Sequence, residues 1–374
     1  MAAPIEIFQT KVTTAVDALA LINGVFQWAF GPSEPSITFP FLNWADTGND
    51  LWKQRNADDN GWIIRGKLSA LFFGLTPVDD NNSPLVSNGN YIINPRFEIA
   101  QRGTSFTTVG YTLDRWASHS LGGGAATISQ QSFTIGQTAV PDNPKKYLRW
   151  NQTGAASTEP ELQQRIECVE TLAGQTCTVI FWAKANTEQT FKIGFRQRFG
   201  TGGSPSVDVD GAVQQVQLTT NWQKYTLTFA LPSVTGKSLG TNGNDYLALR
   251  LVMPAGVTFT IDIANLIVAK GQNVNTCCWR SIGQELTLCQ RFYETGYLFI
   301  QAQTNAAGQY VGIGYSFAVK KRATPSMSFI SGPGEIGITD LGNVSRNGGG
   351  FRNGKSTEAG VVVIDQYWEA DAEL

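Results

Sequence analysis

Histidine is nearly absent from this 374-residue sequence, where His119 stands alone. A Ser-His-Asp or Cys-His relay would therefore have a single candidate base in the whole chain. Its surroundings, ASHSLGGG, read as a strand edge or loop. No HExxH or P-loop motif is present either. Cysteine is sparse and unpatterned: Cys168, Cys177, Cys277, Cys278 and Cys289 are an odd number without a CxxC pair. That usage reads as buried reduced thiols, not as zinc, redox or disulfide chemistry. No stretch approaches the roughly 18 unbroken apolar residues that a membrane helix needs, so no membrane insertion is expected. The first ten residues include Glu6 and lack a basic start followed by an apolar core; they do not read as a secretory leader, and synthesis in the cytoplasm is the expectation. Charge is also scarce, 16% of residues with a net of −2, against a usual share of about 25%. Nucleic-acid binders carry a basic excess that this chain lacks, so nucleic acid is not an expected partner.

What the chain has instead is glycine, 39 residues of it, with many Thr, Ser, Asn and Gln. Glycine serves turns, and uncharged polar residues suit the outward faces of strands. The length exceeds what one hydrophobic core usually organises, so several domains are expected. From Met1 to about Leu75 strand alternation is weak, and Lys11 to Ile22 alone offers a helix-like spacing through Val12, Val16 and Leu19. The run TPVDDNNSPLVSNGN, Thr76 to Asn90, is turn-rich and marks a linker. Beyond it alternation is strong. Cys177, Val179, Phe181 and Ala183 share one face of an extended segment, as do Phe191, Ile193, Phe195 and Phe199 in the next. Further strands are readable at Gln223 to Phe229, Tyr246 to Met253 and Phe259 to Ile263. Ser281 is placed to cap a short helix through Leu286, Cys289, Phe292 and Tyr293. Strands then resume at Tyr297 to Gln303 and Tyr310 to Val319. The run SGPGEIGITDLGNVSRNGGGFRNGK reads as turns of a small β domain or as a loop.

The fold expected is all-β: a jelly-roll-like antiparallel β-sandwich with an irregular N-terminal attachment region and a small C-terminal β domain. The divisions fall at 1–80, a linker at 81–89, the sandwich at 90–271, a connector with a short helix at 272–296 and the last domain at 297–374.

The segment NYIINPRFEIAQRG, Asn90 to Gly103, with YTLDRW at Tyr111 to Trp116, resembles the opening of bacteriophage tail-fibre and virion fibre proteins. The likeness continues through Leu172-Ala173-Gly174, FGTGGSPS at Phe199 to Ser206, Asn221 to Tyr225 and Asp262 to Leu266. It ends with ELTLCQRFYE at Glu285 to Glu294 and VKKRATPSM at Val319 to Met327. The block Phe39 to Gly66 is similar to fibre segments beside the attachment region. The resemblance implies a homotrimeric, non-enzymatic structural fibre subunit located in the virion, tail or capsid. Such a subunit is held by its N-terminus to other virion structural proteins and contacts the host with distal parts, the middle domain being like a carbohydrate-binding module.

Trp44, Trp52 and Trp62 crowd a segment too short for a large core, so they are candidates for virion attachment. Sugar rings present C–H faces to flat aromatics, which makes Trp182 and Trp222 candidates for host cell-surface glycan, with Lys192, Arg196 and Arg198 as polar partners; burial in a core or trimer interface is their structural reading. A polysaccharide depolymerase is the enzymatic alternative. It needs two carboxylates about 5–10 Å apart, and Asp208 with Asp210, or Glu98 with Asp262, are the pairs to consider. No catalytic residue is assigned. A purely structural decoration or adaptor subunit is the third reading. By likeness to carbohydrate-binding jelly rolls, Glu98 and Asp262, with Asn94 and Phe97, match a structural calcium site loosely, although Arg96 disfavours a cation there. No other cofactor is expected.

Overall fold

The computed structural model describes residues 28–36, 38, 40–46, 48–49, 51–67, 89–272, 279–332 and 334–374. The helix expected at Lys11 to Ile22, most of the linker and Cys277 and Cys278 lie outside these residues. The chain divides into two compact units, one holding the described residues up to Lys67, the other running from Gly89 to Gln272 and from Trp279 to Leu374.

In the first unit four short strands, β1 (Trp28–Gly31), β2 (Asn43–Asp46), β3 (Leu51–Arg55) and β4 (Trp62–Lys67), form one sheet in chain order. β1 runs parallel to β2, and the other neighbours are antiparallel. Thus the segment with little alternation still forms a sheet. Trp44 and Trp62 explain part of this, because their rings pack 5.2 Å apart with Leu42 beneath. Lys53 lies over Trp44 and Arg55 over Trp62, each cation covering an indole face that would otherwise meet water. Trp52 pairs through its backbone with Ala45 and Gly66; its side chain lies outside the described structure.

The second unit begins with a jelly-roll-like sandwich. Its strands are β5 (Ser105–Phe106), β6 (Gly110–Tyr111), β7 (Trp116–Ser120), β8 (Ala126–Ser132), β9 (Lys146–Gln152), β10 (Glu161–Glu167), β11 (Thr176–Ala185), β12 (Gln189–Arg198), β13 (Val209–Leu218), β14 (Gln223–Ala230), β15 (Tyr246–Val252) and β16 (Phe259–Lys270). One six-stranded sheet has the order β13-β12-β15-β10-β7-β6, the other β14-β11-β16-β9-β8-β5. We call them the first and second sheets. Consecutive strands repeatedly change sheet, as a jelly roll requires. The alternation in the sequence sets the core: Cys177, Val179, Phe181 and Ala183 of β11 and Phe191 and Ile193 of β12 are all 0% exposed. Truncating one of these phenylalanines to alanine would cost roughly 3–5 kcal/mol.

A short helix, α1 (Ile282–Gln290), follows with Ser281 at its N-cap and Gln284 closing a capping box. It stops before Tyr293 because that residue opens β17 (Tyr293–Thr304) and pairs with Asp371. The last domain adds β18 (Tyr310–Ser316), β19 (Ser326–Ser331), β20 (Ile338–Arg346), β21 (Gly349–Ser356) and β22 (Gly360–Asp371). Two three-stranded sheets, β17-β22-β19 and β18-β21-β20, enclose Leu298, Tyr315, Phe317, Trp368 and Ala370. The glycine-rich run therefore forms strands as well as turns. A side chain at Gly350 would collide with the Tyr315 ring, and one at Gly312 with Phe351; glycine inside these strands makes room for aromatic rings.

Four of the segments that carry the fibre resemblance, Asn90 to Gly103, Tyr111 to Trp116, Glu285 to Glu294 and Val319 to Met327, meet at the joint of sandwich, helix and last domain. Asn94, in the left-handed region with φ 55°, donates to the Ile99 and Asp114 carbonyls, and its backbone N–H donates to Glu285 at 2.9 Å. Trp116 donates its indole N–H to the Asn94 carbonyl. Gln101 bonds Asp114 and the Tyr293 carbonyl. Arg102 and Arg115 both pair with Glu373, and the buried Lys321 pairs with Glu294. These four segments are structural: they lock three elements together.

Candidate functional site

The outer face of the second sheet carries an aromatic cluster. Phe133 follows β8, Tyr147 starts the outward series of β9, and Trp222 precedes β14. Phe133 and Tyr147 lie with ring centroids 4.8 Å apart. Trp222 lies 5.3 Å from Phe133 and 5.4 Å from Tyr147, edge-on to the latter. All three are half-buried, so each is fixed by its neighbours and still presents ring surface to solvent. Polar groups border them. Lys184 lies 5.4 Å over the Trp222 ring and Arg149 5.7 Å over Tyr147. Asp262 of β16 sits between these cations, accepting from Arg149 Nε at 2.7 Å and Nη2 at 2.9 Å, with Lys184 Nζ at 3.6 Å. The fork-to-fork geometry raises the Arg149 pKa, the Asp262 hydrogen bond being the largest cause. Trp182 of β11 is on the same outer face, half-buried, between Lys224 and Ala264 in register.

Lys192, Arg196 and Arg198 are elsewhere. They belong to β12, so they project from the first sheet, and the five residues expected at one glycan site divide between two faces. On the first face the cations are matched by carboxylates. Arg196 forks onto Asp210 at 2.7 and 3.2 Å. Arg250 of β15 bridges Glu161, at 2.7 and 2.8 Å, and Asp210, at 3.1 Å. Arg198 stands 3.8 Å from Asp208, and Lys192 pairs with Glu159. His119 borders this ladder, its pKa lowered by burial although Glu161 opposes that.

Of the carboxylates considered for hydrolysis, Asp208, Asp210 and Asp262 face cations. The Asp210 carboxyl lies below its ordinary pKa because Arg196 hydrogen-bonds it. Burial pushes Glu161 up, but hydrogen bonds from Arg250 and Gln163 outweigh it and leave the carboxyl low. A general acid in glycoside hydrolysis requires the opposite displacement. The calcium reading meets the same chemistry at Asp262, whose oxygens already face two cations. Among the described residues, no group of three or more His, Cys, Asp and Glu side chains is placed to hold a metal ion.

Sequence reasoning missed Phe133 and Tyr147. The signal was present: in KYLRWNQ, Leu148 and Trp150 point inward, which turns Tyr147 and Arg149 outward, and Phe133 continues the outward series Ser129, Gln131.

No family model matches the chain, and no curated protein does. Among solved structures it is similar to the enzymatically active domain of bacteriophage CBA120 tailspike protein 4, with 14% identity, a TM-score of 0.30 and coverage of 49% of this chain and 21% of that one. This match spans about a fifth of the tailspike chain. A structure described as CBM4 is 18% identical over 39% of this chain and 87% of its own, with a TM-score of 0.26. A family 11 carbohydrate-binding module from Clostridium thermocellum, in complex with a β-1,3-1,4-mixed-linked tetrasaccharide, is 12% identical over 46% and 98%, with a TM-score of 0.29. The sandwich assignment above rests on strand order and register alone.

Proposed function

We propose that this chain is a structural fibre subunit of a bacteriophage particle that binds host surface glycan through the outer face of its second sheet. The observation that carries the glycan reading is the Phe133, Tyr147 and Trp222 cluster with Arg149, Lys184 and Asp262 around it. A pyranose ring lays its C–H face on such rings, while the guanidinium, ammonium and carboxylate hydrogen-bond its hydroxyls. Because the platform is already packed, little side-chain freedom is lost on binding. The virion setting is supported by the sequence resemblance, as is attachment through the N-terminal unit that contains Trp44, Trp52 and Trp62. Neither catalysis nor calcium is part of this reading, since Asp208, Asp210 and Asp262 are engaged by Arg and Lys.

The test is titration of the purified full-length chain, wild type and Trp222→Ala, with polysaccharide from the host surface, followed by calorimetry. Truncating an anchoring tryptophan commonly costs 2 kcal/mol or more at an interface, so affinity should drop about thirtyfold. Equal affinity in the two proteins removes the platform from the proposal. Release of reducing ends from the same polysaccharide would replace binding by depolymerisation.

A further inference from the structure

The two outer faces of the sandwich balance their charge differently. On the first face four cations meet four carboxylates: Lys192 pairs with Glu159, Arg196 with Asp210, Arg198 with Asp208 and Arg250 with Glu161. Three of those acids, Glu159, Asp208 and Asp210, stand well into solvent, with side chains 41% to 54% exposed. An anion approaching that face meets as much negative as positive charge.

Along β8, β9, β11, β14 and β16 of the second sheet the outward positions hold three cations, Arg149, Lys184 and Lys224, and one carboxylate, Asp262. Asp262 is only 2% exposed. The Arg149 and Lys184 side chains keep 34% and 32% of their surface in water, and Lys224 is exposed and takes part in neither ion pair of this face. At contact distance the face is therefore positive, with its one acid beneath the cations that it orients. The whole chain carries a net of −2, so any attraction for an anion comes from this local surplus and not from overall charge.

Donors remain free as well. Arg149 spends Nε and Nη2 on Asp262, which leaves Nη1 without a protein partner among the described residues. Lys184 Nζ, 3.6 Å from the carboxylate, is beyond the usual N–H···O reach of about 3.2 Å. These groups stand at the margins of the ring platform. Lys184 lies over the Trp222 ring and Arg149 over Tyr147, and Lys224 follows Trp222 by two residues, opposite Trp182 in register. A pyranose stacked on an indole or phenol directs its exocyclic groups past the ring edge, toward such donors. A hydroxymethyl group there answers a hydrogen bond; a carboxylate or phosphate answers the charge too, and the guanidinium fork suits either anion.

We infer that the glycan bound by this face is acidic: its sugars carry carboxylate or phosphate groups that pair with Arg149, Lys184 and Lys224 while the rings rest on Tyr147 and Trp222. This rests on the glycan reading above and specifies the ligand class that it leaves open.

The test is calorimetric titration of the full-length chain with host-surface polysaccharide in three forms: native, carboxyl-reduced with carbodiimide and borohydride, and dephosphorylated with aqueous hydrogen fluoride. Charge-assisted hydrogen bonds are about twice as strong as neutral ones, so the form that has lost its anion should bind about tenfold more weakly. The treatment that lowers affinity tells carboxylate from phosphate. Lys224→Gln, at an exposed position, should weaken binding of the native form about threefold and leave the neutralised form unchanged. That difference should vanish in about 1 M salt, where screening acts within about 3 Å. Lys192→Gln removes the same charge from the first face and should leave every affinity as in wild type. Equal affinity of the wild-type chain for all three forms would overturn the inference and leave the glycan reading standing, as would a Lys192→Gln variant that behaves like Lys224→Gln. Failure of the wild-type chain to bind even the native form would overturn both.

Discussion

The two outer faces of the sandwich use the same charged residue types to opposite ends. On the first sheet Arg196 and Arg250 fork onto Asp210 and Glu161, and each cation's hydrogen-bonding capacity is directed at a neighbour in the ladder. On the second sheet one carboxylate, Asp262, faces two cations, and three aromatic rings beside them keep free surface. A face that satisfies itself adds stability and has little left for a ligand. A face with surplus donors and fixed ring surface can bind. Polar content alone does not distinguish a glycan site; what matters is how much of it remains unused.

The largest expected effect separates the faces by stability. Arg250→Ala removes the group that bridges Glu161 and Asp210 and leaves the Glu161 carboxylate, only 9% exposed, without its main cation. Losing one partner of a largely buried pair costs about 3 kcal/mol. Urea denaturation should show that loss while glycan affinity stays at its wild-type value. If affinity falls with stability unchanged, the roles of the two faces are reversed.

Much of this was legible in the sequence, within a definite limit. Period-two alternation gave the inward residues of β11 and β12 and marked Trp182 and Trp222 as outward or nearly so. It could not tell that β11 and β12, joined by a tight turn, enter different sheets, because local periodicity says which side of a strand is buried and not which sheet the strand joins. Hence Lys192 and Trp182 looked like neighbours. The aromatic cluster was hidden for a related reason: Phe133 and Tyr147 are far from Trp222 in sequence, and only pairing of β16 with both β9 and β11 brings them together. The glycine-rich run was ambiguous because glycine signals turns by composition, whereas Gly350 sits in a strand and leaves room for the Tyr315 ring.

A smaller effect should sharpen the comparison on the second sheet. Asp262→Asn keeps the shape of the side chain and removes the charge that holds Arg149 and Lys184. Stability should fall by about 1–2 kcal/mol, the usual range for a charge-assisted hydrogen bond. The two freed cations must then be ordered by the sugar itself, at roughly 0.5–1.5 kcal/mol for each immobilised side chain. At the lower end of that range for both, about 1 kcal/mol in all, glycan affinity should decline about fivefold, less than for Trp222→Ala. A gain in affinity would mean that Asp262 competes with the ligand for these cations.

The smallest effect is a difference in acid sensitivity, and its sign follows from the ladder of the first sheet. Glu161 and Asp210 both have carboxyl pKa values below their ordinary 4.5 and 3.8 in the folded chain. For Glu161 burial acts the other way and the bonds from Arg250 and Gln163 prevail; for Asp210 the Arg196 bond is the largest cause. A carboxylate held low in the folded state binds its proton more readily when unfolded. Its contribution is thus complete above the unfolded value and disappears as pH falls through the folded one. From about pH 5 downward, wild-type protein should lose melting temperature along a slope that the Glu161→Gln, Asp210→Asn double variant lacks in part. Because Asp210 is largely exposed, water and salt screen its share, and the difference should be about 1 kcal/mol or less, a few degrees at most. Asp46 of the N-terminal sheet also has a lowered pKa, its bonds from Lys53 and Asn49 overcoming burial, so some acid sensitivity persists in the double variant. Identical acid slopes for the two proteins would show that the ladder holds its arginines without stabilising the fold, and the contrast between the faces would then rest on the aromatic platform alone.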